Sequence, residues 1–111
     1  MAYSNEEYKE LDQRQMGTSD TAHYTVPTGK TAIIRQITIV NATAAPITVK
    51  LWHTNGAAGT DATLILPVTT ILANGFATFD GVIVADAGDT IRALSNTASA
   101  ATVTIYGAEL T

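Results

Sequence analysis

Apolar and polar residues alternate with a period of two along most of the chain after residue 20, the pattern of strands buried on one side. Thr31–Val40 sets Ile33, Ile37 and Ile39 on one face and Ile34, Gln36, Thr38 and Val40 on the other. Arg35 falls on the apolar face, so it is expected near the strand end with its guanidinium reaching water. Ile47–His53 sets Ile47, Val49, Leu51 and His53 against Thr48, Lys50 and Trp52. These two segments flank the turn-forming stretch Asn41–Pro46 and are expected to pair as an antiparallel hairpin. Shorter strands are predicted at His23–Pro27, Leu64–Val68, Phe76–Phe79, Val82–Val84, Thr90–Leu94 and Ala101–Tyr106. Pro67 assigns its strand to an edge or a bulge. Turn signals punctuate the runs, among them Asn74-Gly75, Asp80-Gly81 and Gly88-Asp89. About eight short strands at this spacing describe a sandwich or barrel. No segment of helical length follows residue 20, which excludes parallel crossover units. The expected fold is all-β, an antiparallel β-sandwich of jelly-roll-like form with an N-terminal arm.

The first 20 residues differ from the rest. Residues 1–20 hold seven charges and residues 21–111 hold nine, in a chain of net charge −4. Ser4 and Glu7 have capping-box spacing. Tyr8, Leu11 and Gln15 follow at helical spacing, so a short helix is expected over about 5–16. Such a helix is marginal alone and needs a surface to dock on. The chain therefore divides into an arm at 1–20 and a sandwich domain at 21–111. The arm is expected to serve assembly rather than folding, offering Tyr3, Tyr8, Leu11 and Met16 as its contact residues.

Composition supports the strand assignment. Thr, Val and Ile make 36 of the 111 residues. Their branched side chains are stiff at χ1 and suit a pleated surface. One domain is the limit at this length. The chain has no cysteine, so disulfides and thiolate chemistry are excluded. The acidic balance argues against nucleic acid as a partner. No apolar run is long enough to span a membrane as a helix. The polar, acidic start lacks the form of a secretion signal.

Candidate chemistry is sparse. His23 and His53 are the only histidines, and a catalytic zinc needs three protein ligands. Their simpler reading is two unrelated surface or edge residues. Asp80, Asp86 and Asp89 cluster near two turns, but their spacing is not that of a calcium loop and fits turn chemistry. No nucleophile elbow or phosphate-binding glycine loop is present. No catalytic residue, metal site or cofactor is expected, and the chain is not read as an enzyme. Trp52 is the one feature suited to binding, as a sugar platform or protein contact beside the Thr54–Thr60 loop. Its alternative is packing into the second sheet or under a loop.

Three segments taken together resemble a known family. They are His23-Tyr24-Thr25-Val26-Pro27-Thr28-Gly29-Lys30-Thr31-Ala32 with the following Ile33–Asn41, then Leu72-Ala73-Asn74-Gly75 with Phe79-Asp80-Gly81, then Ala87-Gly88-Asp89-Thr90-Ile91-Arg92-Ala93. The pattern resembles small β-sandwich structural proteins of tailed bacteriophage virions and covers most of residues 23–107. The resemblance implies a capsid decoration, or cement, protein located in the virion. It implies a homo-oligomer, a trimer, with the arm docked on the major capsid protein. Tail, neck and fibre components share the module and are the alternative, as is a receptor- or carbohydrate-binding module at the tail. A small cupin-like enzyme is the third reading, which the missing ligand set disfavours.

Overall fold

The computed structural model describes residues 8–110. It contains eight strands: β1 (Lys9–Gln15), β2 (Thr21–Thr25), β3 (Thr31–Asn41), β4 (Ile47–Thr54), β5 (Leu64–Ile71), β6 (Phe76–Ala85), β7 (Thr90–Ser95) and β8 (Ala101–Leu110), with one short 3-10 turn at Asp61–Thr63. Two four-stranded sheets form, in the orders β1-β8-β3-β6 and β2-β7-β4-β5, and every pairing is antiparallel. This is the two-layer, eight-stranded arrangement of a jelly roll. The fold class expected from alternation is the one observed.

The core lies between the layers. In the first sheet Ile37 and Ile39 of β3 face the interior beside Ile105 and Val103 of β8, their partners in register. The second sheet contributes Ile47, Val49, Leu51 and Ile91. Each such side chain, fully buried, stabilises the fold by about 1.5–3 kcal/mol over leaving it in water.

The expected hairpin of Thr31–Val40 and Ile47–His53 does not form, because β3 and β4 belong to different sheets. Each carries an apolar face, and stacking the layers buries both. Asn41, fully buried, shapes the crossing. Its amide nitrogen donates to the carbonyls of Ala45, Ile71 and Leu72, and its oxygen accepts from the Thr43 backbone N–H and hydroxyl. The 42–46 segment is thereby folded into a crossover.

The helix expected over about 5–16 is replaced, within the described residues, by β1. Lys9–Gln15 pairs with β8 at the margin of the first sheet. Helix propensity is worth only tenths of a kcal/mol per residue, and a ladder that satisfies the β8 edge outweighs it. The next residue, Met16, is 1% exposed and sits in the core, bonded through its backbone to Ala101 and Ser99. From Lys9 onward the chain is therefore part of the sandwich. The strand count stays at eight because Phe76–Phe79 and Val82–Val84 join into the single strand β6.

Candidate functional site

Arg35 is not a strand-end residue on the apolar face. It is an extra residue in mid-strand relative to β8, between Ile34 and Gln36, and at the same point the register against β6 steps the other way. A bulge of this kind reverses which alternate residues point inward. Ala32 and Ile34 are therefore buried before it and Ile37 and Ile39 after it, while Arg35 stands outside. At the same level β1 has an extra Leu11 relative to β8, and β6 sets Gly81 and Val82 opposite Arg35 alone. Gly107 of β8 completes the line. A Cβ there would lie 2.2 Å from the Ile33 carbonyl oxygen, so only glycine permits this approach.

The bulge creates a shallow recess of about 340 Å3 lined by Tyr8, Arg35, Tyr106 and Gly107. The Arg35 guanidinium lies 5.6 Å from the centre of the Tyr8 ring, within cation–π range. The outer face of the first sheet is apolar at its two ends, with the polar pairs Thr38–Thr78 and Gln36–Asp80 between them. Val84 lies opposite Ile33 and Phe76 opposite Val40. Val40, Phe76, Val82 and Val84 are all exposed, as is Leu72 in the turn before β6. The marginal strand β6 carries only Asp80 as a charge, and Gln36 donates to it. The opposite margin, β1, carries Lys9, Glu10, Asp12 and Arg14, the kind of charged edge that discourages strand pairing.

Trp52 lies elsewhere. It is 6% exposed and covered by Gly59 of the Thr54–Thr60 loop, so no open indole platform exists there. The loop is pinned by Asp20, which accepts from the Gly59 N–H with one oxygen and from the Arg92 Nε with the other. Thr54 reinforces it by bonding to the Thr90 hydroxyl and the Ala57 carbonyl.

The histidines serve separate settings. His53 Nε2 is 3.0 Å from Asp89 Oδ2, an oxygen that also accepts from the Asp86 N–H in the turn before β7. His23 is buried in β2. Burial first, and then the positive charge of Arg14, lower its pKa, with Asp12 acting weakly in the opposite sense. Among the described residues, no three His, Asp or Glu side chains gather to hold a metal. Asp80 is bound by Gln36 and Thr78, apart from the Asp86–Asp89 turn. Tyr24 donates to Glu109. Burial and then that carboxylate push its phenol well above the ordinary tyrosine range.

The four arm residues are thus divided. Tyr8 is exposed at the recess, Leu11 packs against the core, Met16 is inside it, and Tyr3 lies outside the described residues. Sequence reasoning missed Arg35 and the β6 face. The signal for the first was a charge on an apolar face. The signal for the second was Val82 and Val84 sharing a face with no polar alternate.

No protein-family model matches this chain, and no curated protein matches it in sequence. Among solved structures, two of a pentameric capsid protein isolated from metagenomic phage sequences are similar to it, at 18% and 19% identity and a TM-score of 0.31 each. The alignments cover 96% of this chain but 58% and 60% of those chains, so it spans less than two thirds of their length. Likeness at this level carries no argument about function.

Proposed function

We propose that the protein is a structural component of a tailed-phage virion, a decoration protein that binds the capsid shell as a homo-oligomer. A jelly roll by itself hosts many functions. The observation that carries the reading is the two exposed apolar clusters on the outer face of the first sheet, Val82 with Val84 at one end and Val40 with Phe76 at the other. Exposed apolar groups gathered on one sheet face mark a contact with another macromolecule. The family resemblance of residues 23–107 supports the class of partner, the major capsid protein, and a trimer. Tyr3 and Tyr8 are proposed as further contacts. Leu11 and Met16 are occupied by the protein's own sandwich, and the burial of Trp52 removes the motive for a carbohydrate platform.

The test is co-sedimentation with phage particles lacking this protein, followed by imaging of the labelled protein on the particle. The full chain is expected to sediment with the shell, and Val84→Asp combined with Phe76→Asp to abolish this while leaving the thermal midpoint in place. Label on neck, tail or fibre would overturn the decoration role, and undiminished binding by the double variant would overturn the surface assignment. Sedimentation velocity of the free protein gives the copy number, for which a trimer is expected.

A further inference from the structure

β1 and β2 are marginal strands of the two sheets, and they meet along one side of the sandwich. His23 sits at that seam, in a bulge where the β2 register steps between Ala22 and Tyr24. It is 2% exposed, and among the described residues neither ring nitrogen has a hydrogen-bond partner. Buried polar atoms are rarely left this way. Its Nδ1 lies 4.0 Å from Asp12 Oδ2, too far for a hydrogen bond but close enough for an ion pair once the ring is charged.

Asp12 is held by Arg14. Nε and Nη2 of the guanidinium donate to its two oxygens, each at 3.1 Å. The same Nη2 donates to the His23 carbonyl oxygen at 3.1 Å, so Arg14 joins β1 to the β2 backbone. The other charged groups flanking β2 are engaged. Arg92, beside Ala22 on β7, is bound to Asp20, and Glu109 on β8 is bound to Tyr24.

We propose that this seam is an acid-sensitive latch: a proton on His23 draws Asp12 away from Arg14, repels the guanidinium, and lets Lys9–Gln15 peel from β8 while the rest of the sandwich stays folded. The buried ring is disfavoured as a cation, whereas in the opened seam it regains ordinary proton affinity, near pKa 6.5. The open form therefore binds more protons, and its share grows as pH falls below that value. Met16 sets the limit of the opening, since its side chain is in the core and its backbone is bonded on both sides. Opening bares the β8 edge between Thr102 and Gly107, a row of backbone groups able to receive a strand.

The test is hydrogen exchange on the full chain at about pH 7.5 and about pH 5, corrected for the intrinsic rate, with His23→Gln beside the parent. Protection of Lys9–Gln15 and its β8 partners is expected to fall by roughly tenfold or more at the lower pH, while Ile37, Ile39 and Leu51 stay protected. His23→Gln should remove the pH dependence, and His53→Gln should leave it intact. A β1 that is equally protected at both values, the same loss in His23→Gln, or loss of core protection in step with β1 would each overturn the latch. If His23→Gln does not fold, the ring carbon resonances of His23 in the parent decide. Protonation coincident with β1 opening supports the latch, and a ring still neutral after β1 has opened overturns it.

Discussion

Gly59 lies flat against the indole of Trp52: a Cβ on Gly59 would come within 2.4 Å of Trp52 Cδ2. The Lys50 ammonium lies 5.9 Å from the centre of the same ring. Gly59→Ala is therefore expected to cost about 1–3 kcal/mol through overpacking. The check is a urea melt followed by tryptophan fluorescence, with the emission of the folded variant shifted to the red as the loop lifts. An unchanged midpoint and emission would mean that the loop does not cover the ring.

Asp20 holds that loop from the other side. Asp20→Asn keeps the shape but weakens the bonds to Arg92 Nε and the Gly59 N–H. Charged hydrogen bonds in part-buried settings contribute about 1.5–3 kcal/mol, and a loss in that range is expected from chemical denaturation. The loss should change little with salt, because both side chains are largely covered. An exposed ion pair would instead contribute under about 1 kcal/mol and fade as salt is added.

Met16 distinguishes a strand of the body from a free arm. Met16→Ala removes a fully buried side chain and is expected to cost about 2–5 kcal/mol. A variant that melts with the parent would return residues 9–16 to the role of a separable arm.

Ile39 and Val103 face one another across β3 and β8, both buried. Ile39→Ala is expected to cost roughly 2–4 kcal/mol and Val103→Ala less. Because the two share one space, the double variant should depart from the sum by about 0.5 kcal/mol or more. Strict additivity would place them in separate parts of the core.

Tyr24 makes the fold sensitive to base. Its folded pKa lies above the unfolded value of about 10, so the folded state holds its proton longer. The stabilisation is complete below about pH 10 and declines as pH rises beyond it. Urea midpoints measured from pH 8 to 11 should fall more steeply for the parent than for Tyr24→Phe. Parallel curves would remove Tyr24 from the account.

Alternation alone made the layered all-β fold legible, because Ile37, Ile39, Val49, Leu51, Val103 and Ile105 repeat the spacing that one buried face requires. What alternation cannot report is an inserted residue. Arg35 on an apolar face was the visible sign that β3 changes phase, and reading it as a strand end kept one phase throughout. β1 was hidden for a different reason. In Lys9–Gln15 only Leu11 is apolar, and the strand exists through backbone bonds to β8, a partner some ninety residues away in sequence. Its charged side chains belong to a sheet margin, and on paper they imitate an amphipathic helix. The recess at Tyr8 and Tyr106 follows from the bulge and was illegible without it. Counting places Trp52 on the outer face with Lys50, where it lies, outside the core between the sheets; counting cannot report the loop whose Gly59 covers it.

The inserted residues also determine how the first sheet can be matched by another surface. Over one interval β8 spends the least chain, β1 and β3 one residue more, and β6 two more. Each added residue is taken up by a local bend of its strand, so the sheet is not flat where the registers step. A planar neighbour would then meet this face only in part. A surface that follows it closely must match the bend at the inserted residues. Selectivity for a partner would then come from topography beside the apolar contacts.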